Sequence, residues 1–271
     1  MMATKLATRG LGKSFQKDGK AIEALRGLDL DIARGEFVSI VGASGCGKTT
    51  FLRLINGLIK PTSGTVTLDG ADVSAPGANI AFVFQQDGLF PWRNVLDNTV
   101  IGPELQRKDM NEARRTASSF LNLVGLRGFE KHFPHELSGG MKQRVNMARA
   151  LTAGADVLLM DEPFAALDAQ TREIMQAELT RIWRETGKTI LFVTHQIDEA
   201  VFLSDRVLVF TVRPGRLKEE VTIDLPRPRE LTLKRAPQFA NYVDHIWQSI
   251  EQEVRESIRL ETEATLAIAK R

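Results

Sequence analysis

Residues 42–50 read GASGCGKTT directly after FVSIV at 37–41, and this juxtaposition constrains the chain more than any other feature. An uninterrupted apolar run that ends in glycine fits a strand buried on both faces, as in parallel sheets. The loop that follows matches G-x-x-x-x-G-K-[ST] through Gly42, Gly47, Lys48 and Thr49. Such a loop folds backbone N–H groups inward around phosphate oxygens, in conformations a β-carbon obstructs. An amphipathic run at 50–59 predicts a helix opening near Gly47, with the positive end of its dipole aimed at the same place. Ala43, Ser44, Gly45, Cys46 and Thr50 complete the cradle. Lys48 can reach β- and γ-phosphates, and the Thr49 hydroxyl can ligate Mg²⁺.

Other short apolar runs, at 80–84, 157–160, 190–193 and 207–210, alternate with helical spacings. This predicts an α/β layer architecture with a mostly parallel sheet. Ahead of it, residues 8–32 alternate with a turn at Gly19, so an antiparallel β-region is expected there. Between 94 and 152 the period is helical, with Leu121, Val124, Val145, Ala148 and Leu151 as core positions of a helical insertion. The sequence LPRPRE after Asp224 interrupts regular structure twice at proline and marks a boundary. It divides the chain into residues 1–225 and a C-terminal extension, 226–271. In that extension Phe239, Val243, Ile246, Trp247, Ile250, Val254 and Ile258 recur at steps of three and four, predicting an amphipathic helix. One helical stripe is too small to enclose a ligand, so the extension is expected to dock on the chain's own core or across a dimer.

A phosphate site on a parallel sheet is completed at the carboxyl ends of other strands. VLLMDEP at 157–163 supplies Asp161, placed to hold Mg²⁺ directly or through water, and Glu162, a carboxylate able to accept a proton from an attacking water. His195 closes the strand LFVTH at what should be the same sheet edge. Gln85, after AFVF, offers a neutral amide for Mg²⁺ or water.

Composition closes off other classes. With 43% hydrophobic and 26% charged residues the chain is neither disordered nor fibrous. Its 36 Lys and Arg stand against 34 Asp and Glu, a formal charge of +2, without the basic stripe that nucleic acid requires. No stretch reaches the 18 or so apolar residues of a membrane span, and the N-terminus lacks the apolar core of a signal peptide. Any membrane connection is therefore expected to run through another protein. A lone cysteine, Cys46, forms no internal disulfide and no cysteine metal cluster. Its place near a helix N-terminus favours a reactive thiolate; the alternative is a packed, inert thiol.

LSGGMKQRV at 137–145, with the phosphate loop upstream and VLLMDEP shortly after, resembles the ATP-binding cassette family, and the resemblance covers residues 5–220. It implies a P-loop NTPase core carrying an antiparallel β-subdomain and a helical subdomain, an ATPase activity, and ATP with Mg²⁺ as ligands. By the same resemblance Ser138, Gly139 and Gly140 are the signature that contacts the γ-phosphate bound to the opposite subunit. A serine hydroxyl and glycine amides at a helix start make an anion cradle, although Ser-Gly-Gly is also an ordinary helix cap. Gln85 corresponds to the Q-loop glutamine, Asp168 in AALDA to the D-loop aspartate, and His195 to the switch histidine. Phe15 falls where an aromatic stacks on adenine.

The implied partners are a second copy, in a dimer that sandwiches ATP, and transmembrane permease subunits, which place the chain on the cytoplasmic face of the membrane. A periplasmic or extracellular solute-binding protein is implied indirectly. Phe90, Pro91 and Trp92 would line the groove for the permease. VFQQDGLFPWRNVLDN, HFPHELSGGMKQRVNMARAL and LPRPR look like the ATPase subunits of nitrate, sulfonate and taurine importers. ATPases of DNA repair or chromosome maintenance share the cassette. They carry long coiled coils between its halves, and no sustained heptads separate Gln85 from Ser138.

Overall fold

The computed structural model describes residues 3–17, 19–86 and 88–269. These form two compact units, one made of the described residues up to 75 and from 192 onward, the other of residues 76–191. The first unit opens with the antiparallel pair β1 (Thr4–Lys17) and β2 (Lys20–Ala33), joined at Gly19. Leu28, Leu30 and Ile32 are buried at alternate positions of β2 while Asp29 and Asp31 are exposed, the period of a sheet covered on one face. β3 (Phe37–Val41) is buried at every position, as its unbroken apolar run predicts. Next, α1 (Lys48–Ile55) buries Phe51, Leu52, Leu54 and Ile55, with the Phe51 ring edge-on to Phe210 at 5.6 Å. β4 (Ser63–Leu68) and β5 (Ala71–Asp72) extend the first pair into a four-stranded sheet of order β2-β1-β4-β5.

In the second unit β6 (Ile80–Val83) runs parallel to β7 (Val157–Asp161), Ile80 opposite Val157 and Val83 opposite Met160. Between them lie α2 (Val95–Thr99), α3 (Ile101–Leu105), α4 (Met110–Leu123) and α5 (Gly139–Thr152). The insertion is thus helical as expected, except that α4 and α5 are separated by an irregular stretch with a single 3₁₀ turn at Pro134–Glu136. Leu121, Val124, Val145, Ala148 and Leu151 are all buried. Caps fix where the helices begin: Asn94, Asp109 and Ser138 accept the N–H of Asp97, Glu112 and Met141, satisfying donors that a helix start leaves without partners. After β7, α6 (Ala169–Thr186) starts on Asp168 and stops at Gly187, and β8 (Thr189–Val193) follows, buried throughout.

The chain then adds α7 (Ile197–Leu203), β9 (Arg206–Phe210), β10 (Leu217–Thr222) and α8 (Pro237–Ala269). β9 pairs in parallel with β3, and β10 pairs antiparallel with β9. α8 packs on α7 and β9, so the tail docks on its own chain, within the first unit. Phe239, Ile246 and Ile250 are buried and Val243 and Val254 half-buried. Trp247, expected in the same stripe, is 50% exposed, because one residue past Ile246 is a turn of about 100° away from the buried face. The Ile258 side chain lies outside the described residues. Near the proline-rich segment, buried Arg229 donates to the carbonyls of Val201, Phe202, Ser204 and Ile223, taking up acceptors at the end of α7. Burial pushes its guanidinium down to about 10. Arg227 pairs with Asp205 at 2.8 Å. No helix among the described residues is long and apolar enough to cross a membrane.

Candidate functional site

In the first unit the phosphate loop leaves β3 and runs into α1. Gly47 caps α1 with φ +105 and no side-chain hydrogen bond, so the first N–H groups of the helix are not met by a capping side chain. A β-carbon here would lie 2.7 Å from Leu25 Cδ2 and 3.0 Å from the Ala24 carbonyl; both the backbone angle and the space demand glycine. Lys48 is 7% exposed, its Nζ donating to the carbonyls of Gly42 at 2.8 Å and Ala43 at 3.1 Å. The ammonium is thereby held within the loop, where phosphate oxygens are stronger acceptors than the carbonyls it now uses. Ser44 and Gly45 are exposed at the crest; Thr49 and Thr50 are half-buried. Such a cradle, narrow, cationic and rich in backbone N–H groups, fits a polyphosphate.

Two readings of Cys46 were open. It is 1% exposed, and burial raises its thiol above the usual range, Lys48 opposing this only in part. Desolvation outweighs the helix N-terminus, which favours the packed reading. Phe15 is 41% exposed and not a core residue, with Lys13 Nζ over its ring at 5.2 Å from the centre. His195 is exposed. Thr194 before it donates its N–H to the Ile40 carbonyl at 3.3 Å and its hydroxyl to buried Glu199 at 2.6 Å. Ile40 precedes the phosphate loop by two residues, so His195 stands at the end of β3 where that loop begins.

The second unit holds the acidic residues. Asp161 ends β7 with 3% exposure. Glu162 follows at φ +48, a left-handed backbone that a non-glycine residue adopts only where its surroundings impose it, and such strain collects at functional positions. Gln85 Nε2 donates to Glu162 Oε2 at 3.2 Å, uniting two residues picked from the sequence on separate grounds. α5 fixes the Gln85 loop from behind. Gln143 and Asn146 both donate to the Phe84 carbonyl, at 3.2 and 3.0 Å, and Arg149 donates to Gly88 O at 2.9 Å. These grips went unrecognised in the sequence, because side-chain bonds to distant carbonyls leave no periodicity to read.

At the start of α5, Ser138 is exposed and its Oγ accepts the Met141 N–H at 3.2 Å. Gly139 is exposed and Gly140 half-buried. The cap reading of Ser-Gly-Gly is therefore seen, at a helix start that is exposed. Asp168 is exposed at the start of α6, and the Thr171 N–H it accepts holds its carboxyl below the usual range. One further residue was not anticipated: Arg213 donates from Nε to the Gly45 carbonyl of the phosphate loop at 2.9 Å.

The sequence profile of the ABC transporter family matches residues 25–165. The chain belongs to this family. Its ABC relatives include the nitrate import ATP-binding protein NrtD of Synechocystis sp., 46% identical over 96% of this chain and 97% of that protein. The taurine import ATP-binding protein TauB of Yersinia pestis is 50% identical over 81% of this chain and 84% of its own length. Among solved structures, the ATP-binding cassette MJ0796, dimeric in a post-hydrolysis state with ADP and Pi, is 33% identical with a TM-score of 0.74, covering 82% of this chain and all of that one. The fold is accordingly that of an ABC ATPase cassette, and the chain is an ABC ATP-binding subunit of a family that hydrolyses ATP.

Proposed function

We propose that two copies of this chain bind ATP with Mg²⁺, hydrolyse it with Glu162 as general base, and thereby power uptake of a small solute such as nitrate, a sulfonate or taurine through separate permease subunits. The observation that carries the catalytic reading is the Gln85–Glu162 contact at the end of β7, on a backbone strained at Glu162. The near full-length likeness to a nitrate importer subunit supports the transport reading. The helices of the 94–152 insertion reach at most 14 residues, which favours a transporter over the coiled-coil ATPases of DNA repair.

In this account the N–H groups at 42–49 and the Lys48 ammonium hold the β- and γ-phosphates, and Phe15 offers its exposed ring to adenine. Thr49, Asp161 and Gln85 present hydroxyl, carboxylate and amide oxygens, a hard donor set that suits Mg²⁺. When bound, that ion neutralises charge on the phosphate oxygens. Glu162 accepts the proton of the attacking water, Gln85 keeps the carboxylate oriented, and His195 donates to the γ-phosphate. Ser138 and Gly139, exposed in the single chain, serve the phosphate bound by the second copy, with Asp168 at the interface between copies.

Docking to the permease falls to Trp92, 71% exposed with Phe90 5.4 Å from it. A ring so exposed is not packing the helical insertion, and aromatic residues are enriched at interfaces. The groove beside it is lined by Arg93, Asp97, Glu104, Met110 and Arg114. Attachment there places the chain on the cytoplasmic face of the membrane, with any solute-binding protein on the opposite side.

Glu162→Gln tests the reading. The amide preserves shape but cannot take the proton, so ATP binding persists while hydrolysis falls by about 10²-fold or more. Turnover near that of the wild type would remove Glu162 from the role and shift attention to His195.

A further inference from the structure

The turn between β9 and β10, residues 211–216, is held from three sides within the first unit. Toward β2, Gly215 donates to the Ala24 carbonyl at 2.9 Å and accepts the Arg26 N–H at 3.0 Å. Toward the phosphate loop, Arg213 Nε donates to the Gly45 carbonyl at 2.9 Å. Gly215 lies so close to this loop that a β-carbon would stand 2.1 Å from the Cys46 carbonyl, which bars any larger residue. Toward the tail, Glu253 of α8 accepts the Val212 N–H at 2.7 Å on one oxygen and pairs with Lys218 at 2.8 Å through the other. Lys218 also donates to the Ser249 carbonyl at 2.9 Å. A continuous run of contacts thus leads from the C-terminal helix, through Val212 and Arg213, to the crest of the phosphate loop.

We infer that Arg213 is a positioning residue for the phosphate-binding loop and that Glu253 on the C-terminal helix acts through it, so that the tail helix sets nucleotide affinity. The inference rests on the reading of 42–50 as the ATP site. Its physical basis is preorganisation. A loop with glycine at 42, 45 and 47 is loose, and ordering it opposes binding each time a nucleotide enters. Gly45, at φ +71, is the exposed crest of this loop, and its carbonyl is tied down by a side chain 168 residues further along. Val212, the residue before Arg213, is held by its N–H on Glu253.

The test is titration of the full-length protein with a fluorescent ATP analogue, followed by melting curves and ATPase kinetics, for Arg213→Ala, Arg213→Gln, Glu253→Ala and the double variant Arg213→Ala/Glu253→Ala. Arg213→Ala is expected to weaken binding roughly five- to tenfold, the scale of one ordinary hydrogen bond, with the loss falling on KM more than on kcat. Arg213→Gln, which keeps a donor but no charge, recovers most of it, separating positioning from simple attraction between guanidinium and phosphate. Glu253→Ala weakens binding about two- to threefold, and the double variant is no weaker than Arg213→Ala alone, because both substitutions cut one line of contacts. Unchanged affinity in Arg213→Ala overturns the inference. Effects of the two substitutions that multiply also overturn it, since Glu253 would then be a clip for the tail and nothing more. Lys48→Ala is the control: if it binds as well as the wild type, the ATP site itself has been misplaced, a failure distinguishable from that of Arg213.

Discussion

Two helices of this molecule begin at glycine-rich loops, and their N-termini are finished in opposite ways. α1 opens on Gly47 with no side-chain cap, and the Lys48 ammonium is drawn among the carbonyls of its own loop. α5 opens on Ser138, whose hydroxyl caps the helix, and Ser138 and Gly139 stand exposed. A helix start that lacks its own cap is prepared to receive an anion from outside the chain. The α5 start already has its own cap and is exposed, and in the proposed account it meets the phosphate bound by the second copy. The difference matches the two tasks proposed for them, holding a nucleotide and completing the site of a neighbouring copy.

The comparison breaks most visibly at Lys48. Lys48→Ala removes the buried ammonium, and nucleotide affinity is expected to fall on the order of 100-fold, read by titration with a fluorescent analogue. A change below threefold would mean that the nucleotide does not sit on this loop, and the α1 side of the comparison would fall. A smaller effect is expected at the other helix. Ser138→Ala removes the cap of α5, which costs about 1 kcal/mol and lowers the melting temperature by about 2 °C. An unaltered melting temperature would show that the hydroxyl contributes nothing to its own helix, and the two N-termini would then differ less than the geometry states.

Much of this was legible from the chain. FVSIV is buried at every position, and the helical insertion keeps its five expected core residues in the interior. What escaped were elements without an apolar signal. β4 buries only Val66 and β10 only Val221, so each offers a single fully buried apolar residue, too short a signal to mark a strand. The candidate site shows the same division. Residues whose chemistry is local, the phosphate loop and the Asp161–Glu162 pair, stand out in the sequence. Residues that act through someone else's backbone do not: Arg213 on Gly45, Gln143 and Asn146 on Phe84. A carbonyl acceptor has no residue identity, so no pattern of letters announces it. The left-handed backbone at Glu162 is equally silent, being imposed by tertiary context. At Cys46 the sequence left two readings open, because the local rule about helix N-termini and burial pull the thiol in opposite directions, and burial is the larger.

The central claim is that the α1 start serves the chain's own ATP while the α5 start serves its partner's, and mixing two inactive variants measures this directly. Lys48→Ala and Ser138→Arg chains, differently tagged and purified as a verified mixed dimer, contain one composite site with an intact phosphate loop from one copy and an intact signature from the other. Each variant alone is expected to be nearly inactive, and the mixed dimer to regain hydrolysis at roughly half the wild-type rate if the sites turn over independently. Mixed dimers as inactive as their parents would contradict the division of labour between the two helices.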